Sequence, residues 1–398
     1  MRSPRSSAAF ALLLPVVALL AGCHGDGMHR DTPGKSPDPT STAVRAGPLE
    51  IVHEFNGPMP TGVTVSHDNR VFVNYPRWED PIRFTVAEIK DGREVPYPDE
   101  ATNRGDTPDT LFSVQSVVVD PKNRLWALDT GSVDMGPIKG REWVKLVGID
   151  LSTNKVFKTI RFPQGVITEN SYVNDVRFDF RRGAEGMAFI TDSSGKGDNG
   201  IIVVDLASGR SWRKLNKNPA VTADKTFMAV MEGKPMMLNK KGEPPKPARI
   251  GSDGIAINAD GSRLFFCPLS SRNLYSVSVD ALVDEKLSDD QVAATLRKEK
   301  RSFASDGLES DAQGRIYLTD WEHNAIQVRT DQDRFQTLVR DPRMWWPDTL
   351  SLATDGRLYF TCNQLHRQAK FHNGQDLRKR PFYLFSVQTD GRPVMLTK

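Results

Sequence analysis

Short apolar stretches, separated by turns rich in Asp, Asn and Gly, recur along this chain as a two-part phrase. A polar entry leads into an apolar step, a turn follows, and a second apolar stretch completes the unit. Its clearest copies are Ser252-Asp253-Gly254-Ile255-Ala256-Ile257 with Arg263-Leu264-Phe265-Phe266, Ser305-Asp306-Gly307-Leu308-Glu309-Ser310 with Arg315-Ile316-Tyr317-Leu318, and Pro347-Asp348-Thr349-Leu350-Ser351-Leu352 with Arg357-Leu358-Tyr359-Phe360. Looser copies start near Thr61-Gly62, Gln115-Ser116 and Asn174-Asp175. Each reads as two short strands joined by hairpin chemistry. A phrase repeated at intervals of roughly 40 to 80 residues belongs to a solenoid or propeller rather than to one sheet. Six copies predict an all-β, six-bladed β-propeller with short helical insertions.

A circular propeller must join its ends, because open sheet edges invite aggregation. Leu49–Phe55 alternates as a strand, and Phe382–Val387 near the other end is also strand-like, so the two are expected to share the closing blade. One helix interrupts the pattern. Ser288 with Gln291 forms a capping-box signature, Val292 and Leu296 lie one turn apart, and Arg297, Lys298 and Lys300 suit the C-terminal end. Residues 219–247 hold five Pro, several Lys and a Met pair, and read as a long excursion between blades, a common place for a lid.

The first residues have a different character. Arg2 and Arg5 precede an apolar run, Ala8 to Ala21, that is short for a bilayer span. The run ends in Leu20-Ala21-Gly22-Cys23, which resembles a bacterial lipobox. Residues 1–22 are therefore expected to be a lipoprotein signal peptide, with Cys23 lipidated, and His24 after the Cys fits sorting to the outer membrane. Residues 23–47 are polar, Pro-rich and Gly-rich, and too poor in large apolar groups to offset ordering entropy, as expected for a flexible tether. Residues 48–398 are left for the propeller, in an exported, lipid-anchored protein of the periplasm whose membrane contact is the lipid anchor.

Composition narrows the function classes. Hydrophobic residues make up 38% of the chain, enough for a buried core, and the net charge falls from +3 to +1 without residues 1–22. With no sustained basic run, nucleic acid is not an expected partner. Beyond Cys23 only Cys267 and Cys362 remain, in corresponding second strands of different blades, and they read as small buried hydrophobes. No CxxC, HExxH, Gly-x-Ser-x-Gly or glycine-rich phosphate loop is present, which removes support for zinc-protease and nucleophile-triad chemistry.

Longer phrases carry a family resemblance. Ser113-Val114-Gln115-Ser116-Val117-Val118-Val119-Asp120 with Arg124-Leu125-Trp126-Ala127-Leu128-Asp129-Thr130-Gly131, Gly200-Ile201-Ile202-Val203-Val204-Asp205-Leu206, and Asp253-Gly254-Ile255-Ala256 with Cys267-Pro268-Leu269-Ser270-Ser271-Arg272-Asn273-Leu274-Tyr275 resemble the major royal jelly protein and insect yellow family, here in a bacterial version. The resemblance covers about residues 50–385. It implies a ligand cavity at one end of a central tunnel, in a family that includes proteins linked to dopachrome conversion and others that bind biogenic amines. Insect relatives commonly carry disulfides, and a cysteine expected after Asp120-Pro121 is replaced here by Lys122-Asn123, so that pattern does not transfer. The fold is also similar to that of the gluconolactonase and regucalcin hydrolases, where acidic and amide residues at blade entrances hold a divalent metal.

If the first strands line one tunnel, equivalent entrance positions converge on it. Asp253, Asp306 and Asp348 then share a space with Asn174 and Gln115, and Tyr172 and Trp346 offer aromatic walls to a ring or ammonium group. Of Trp345 and Trp346, one is expected to pack between blades. Asp253 and Asp306 are the candidate catalytic carboxylates for moving a proton between ring carbons. Close carboxylates also suit a hard cation, Ca²⁺ or Mg²⁺, with Asn174, Asp253, Asp306 and Asp348 as donors. The alternative for each residue is a turn or strand cap. Three functions stay open: a binding propeller or dopachrome-type isomerase for a small aromatic or amine-bearing ligand, a metal-dependent lactonase-like hydrolase, and a non-enzymatic envelope scaffold.

Overall fold

The computed structural model describes residues 46–398; the expected signal peptide, Cys23 and all but the last two residues of the expected tether lie outside the described residues. Six four-stranded antiparallel sheets form the blades of a β-propeller. Their innermost strands are Val63–Val65, Val114–Val119, Val173–Asp179, Ser252–Ile257, Leu308–Ser310 and Pro347–Leu352, one for each copy of the phrase. The second half of each phrase is the next strand outward. In blade 5, for example, Ile316–Asp320 lies between Leu308–Ser310 and Ala325–Arg329.

The turn between the first two strands has a recurrent chemical reason. Asp120 Oδ1 accepts from the backbone N–H groups of Lys122 and Arg124, while Oδ2 accepts from Arg124 Nε and Trp126 Nε1. Asp311 repeats this with Gln313, Arg315 and Tyr317. One buried carboxylate thus closes the turn and clamps the next strand.

Blade 6 closes the ring as expected. Glu50–Phe55 is its outer strand, antiparallel to Phe382–Gln388, with Glu50 opposite Ser386 and Phe55 opposite Phe382. Gly47 N donates to Gln388 O, so the described chain enters at the tunnel end where the innermost strands finish. That end is crossed by the C-terminal tail. Pro393 bridges to Asp311, Phe180 N donates to Leu396 O, and the Leu396 side chain is buried among blades 3 and 4.

The helix differs from expectation. Its capping box is present, with Ser288 and Gln291 bonded reciprocally, but the helix spans only Asp289–Ala293. Arg297–Glu299 pairs with Leu274–Ser276 as the outer strand of blade 4, because a helix this short is marginal and the sheet edge offers a full set of bonds. A second short helix, Val279–Val283, precedes it. Among the described residues no helix is long and apolar enough to cross a membrane. Cys267 and Cys362 are buried and unpaired.

Candidate functional site

The Asp-Gly entry has a packing cause. A Cβ on Gly254 would stand 1.9 Å from the Asp306 carbonyl oxygen, and one on Gly307 would stand 2.3 Å from that of Asp348. Neighbouring inner strands therefore approach too closely for any side chain at these two positions, and the aspartate before each glycine is brought up to the tunnel. Pairing also slips at four entrances, between Val114 and Ser116, Val173 and Val176, Ser252 and Ile255, and Pro347 and Leu350. Such bulges re-aim side chains that strict alternation would send elsewhere.

Gln115, Asn174, Asp253, Asp306 and Asp348, from five different blades, line one cavity of about 400 Å³ together with Trp346. The sixth entrance, Thr61, turns aside, accepting from Asn74 Nδ2 at 2.8 Å. Tyr172 stands behind the wall. Its hydroxyl donates to Gln115 Oε1 at 2.8 Å and accepts from Trp78 Nε1 at 2.9 Å, so it positions Gln115 rather than lining the cavity. Trp345 is half-buried and stacks under the Arg367 guanidinium, outside the cavity.

The floor is acidic, and its charges are not independent. Asp306 and Asp253 stand side by side, close enough to hydrogen-bond when one of them is protonated. Asp306 Oδ2 also accepts from Trp346 Nε1 at 2.8 Å, and Asp253 Oδ2 accepts from Ser193 Oγ at 3.2 Å. Asp348 accepts from Asn363 Nδ2 at 2.6 Å. Burial, then repulsion from a neighbouring aspartate, holds all three carboxyls well above their ordinary value of 3.8. Two carboxyls this close do not ionise independently, because the first charge opposes the second. Asn174 Nδ2 donates to Ser193 Oγ at 2.7 Å, tying the amide to the same network.

Below this floor, Asp175 accepts from Ser116 Oγ at 2.7 Å and from Arg177 Nη1 at 3.0 Å, and Arg177 Nη2 reaches the Leu308 carbonyl at 2.6 Å. This buried pair fills the middle of the tunnel. Arg177 and Glu309 then line a smaller cavity of about 90 Å³ at the tail-covered end.

Aromatic rings form the walls. Trp321 and Trp346 stack at 4.3 Å and 20°, and His366 continues the stack at 6.1 Å from Trp346. Burial and the Arg367 charge outweigh Glu232 and lower the His366 imidazole to about 4. Trp346 has φ 54°, a strained conformation for a bulky residue, and is 1% exposed. The excursion supplies the roof. Phe227, Ala229, Met236 and Leu238 face the cavity; Val230 N donates to Glu322 Oε1 at 2.9 Å, and Glu232 pairs with Arg367. Trp78, Phe227, Trp321, Lys370 and Phe371 are cavity residues that the repeat does not mark.

As a metal centre the floor is poorly shaped. Among the described residues no three of His, Cys, Asp and Glu are grouped so as to hold a metal ion. Asp253, Asp306 and Asp348 line the cavity with Asn174 but do not form such a group. The Ca²⁺ or Mg²⁺ expected from the residue types does not fit this donor set as it stands.

The sequence profile of the major royal jelly protein family matches residues 112–390. The chain belongs to the major royal jelly protein family. Protein yellow of Drosophila madeirensis is 28% identical to this family member over 244 residues, covering 58% of this chain and 41% of the fly protein. Protein yellow of Drosophila melanogaster is equally similar, with 43% of its length covered. The chain therefore spans less than half the length of these curated relatives. Among solved structures, a candidate gluconolactonase superposes with a TM-score of 0.53 at 12% identity, covering 88% of this chain and 99% of its own. Regucalcin of Agrobacterium tumefaciens, described as calcium-binding, gives 0.50 at 14% identity, covering 87% and 97%. At such identities these two establish the propeller fold alone.

Proposed function

We propose that this royal jelly/yellow family member binds a small planar aromatic or amine-bearing molecule in its central cavity and moves a proton between two positions of the bound ring. The observation that carries this reading is the buried Asp253–Asp306 carboxyl pair beneath a cage of tryptophans. Two carboxyls that share one proton offer a base and an acid side by side, which is what a tautomerisation requires. Asp253, ionised and steadied by Ser193, takes a proton from a ring carbon or nitrogen. Asp306, protonated and fixed by Trp346, returns one to another ring atom. The proton count is unchanged, and the pair resets through its own hydrogen bond. The aromatic walls favour a planar ring and an attached ammonium group. Export and lipid attachment at Cys23 belong to the same proposal, and rest on Leu20-Ala21-Gly22-Cys23.

Dopachrome is the direct test substrate. The protein should quench its own tryptophan fluorescence on binding and accelerate loss of the dopachrome absorbance over buffer. Asp253→Asn should abolish the acceleration and retain binding. Absence of both quenching and acceleration in the unmodified protein, repeated with aromatic amines, would remove the proposal.

A further inference from the structure

The cavity is electrically two-ended. Its floor holds Asp253, Asp306 and Asp348, whereas Lys196, Lys240, Lys246, Arg249 and Lys370 line the upper part against one acid, Asp134. These cations are not equivalent. Lys196 and Lys240 are exposed, Lys246 pairs with Glu243, and Arg249 spends its guanidinium on the carbonyls of Phe227 and Lys225. Lys370 differs from them all. Its side chain is 13% exposed, and Nζ lies 5.3 Å from the Trp78 ring and 5.8 Å from the Phe371 ring, so the ammonium sits in the aromatic wall. Its counter-ion, Asp134, is 3.2 Å away on a loop of another blade and is partly exposed. A lysine held by ring faces, with one displaceable carboxylate, is poised to accept a different carboxylate.

From this arrangement we infer that the ligand carries a carboxylate as well as a ring, that is, an aromatic amino acid or a carboxylated derivative of one, and that Lys370 is the residue selecting for it. The inference rests on the aromatic-ligand reading above and narrows its substrate class. A ring with an ammonium and a carboxylate matches both ends at once, its positive group toward the floor and its negative group toward Lys370. A decarboxylated amine must pass a basic rim with nothing to offer it, so the rim works against the wrong ligand as well as for the right one. Asp134 holds the site when no ligand is bound, and its Arg77 contact through the backbone keeps the loop in place.

The test uses matched pairs that differ only in the carboxylate, tryptophan against tryptamine and tyrosine against tyramine, titrated into the protein by calorimetry. The acid of each pair should bind about tenfold more tightly, the scale of one charge-assisted hydrogen bond. Lys370→Met should erase that preference and leave amine affinity unchanged or higher. Asp134→Asn should shift the other way, strengthening acid binding only, because the competing anion is gone. Asn also tolerates the φ of 49° at that position. Amines binding as tightly as their acids, or a preference that survives Lys370→Met in a folded variant, would overturn the inference and leave the aromatic-ligand reading standing. Should Lys370→Met fail to fold, Asp134→Asn decides alone, and equal effects on acid and amine count against it. If no member of either pair binds, the aromatic-ligand reading fails first and this inference falls with it.

Discussion

At the scale of residues, the buried carboxyls govern what pH does to this molecule. Each of Asp253, Asp306 and Asp348 is protonated more readily in the folded state than in the unfolded chain. The folded state therefore binds more protons, and their effect on stability becomes less favourable as pH rises from the ordinary carboxylate value through the raised one. Asp306→Asn mimics the protonated form, since it can still accept from Trp346 and donate to Asp253. The variant should be more stable than the parent at pH 8, by on the order of 1 kcal/mol or more, with the difference closing toward pH 4. Melting curves across pH measure this, and a variant less stable at pH 8 would contradict the coupled-carboxyl floor. Burial also raises both thiols, so Cys267 and Cys362 should resist thiol reagents until the protein is denatured. The entrance positions were legible because Gln115, Asn174, Asp253, Asp306 and Asp348 recur at one place in a visible phrase. Tyr172 was misplaced because the bulge after Val173 breaks the alternation that would have put it on the face of Asn174. The Arg177–Asp175 pair was missed for a related reason. Nothing in a single strand shows that Asp175 also meets Ser116 of one blade while Arg177 reaches Leu308 of another.

At the scale of elements, the tightest constraint is where inner strands touch. Gly254→Ala and Gly307→Ala should each cost roughly 2–4 kcal/mol, because a backbone carbonyl of the adjacent blade must move. Chemical denaturation measures the loss. Ala at Gly57, which has nothing within 4 Å and, like Gly254 and Gly307, no left-handed φ, makes a control without the crowding. The outer strands were harder to read than the inner ones. Arg297–Glu299 looked like the basic end of a helix, since an edge strand of three residues carries no alternation long enough to announce itself. The cavity roof was legible only as a long excursion. Phe227, Met236 and Leu238 come from a segment with no period, and what fixes them, Glu322 and Arg367, lies far away in sequence.

At the scale of the whole molecule, the ring closes by pairing its two ends in blade 6. Truncation before Phe382, or removal of Glu50–Phe55, should lower the melting temperature of the entire domain in one transition, whereas removal of residues 24–45 should leave it nearly unchanged. Calorimetry distinguishes the cases, and full stability in a chain ending before Phe382 would refute the closure. The order in which the chain travels round the ring has one more consequence. Residue 46 meets the propeller at the tail-covered end of the tunnel, and the ligand mouth is at the other. If Cys23 carries the lipid, the tether joins the propeller at the face opposite the mouth, so the point of attachment does not obstruct ligand entry. Cys23→Ser should accordingly move the protein into the soluble fraction while its ligand affinity, measured in either state, stays the same.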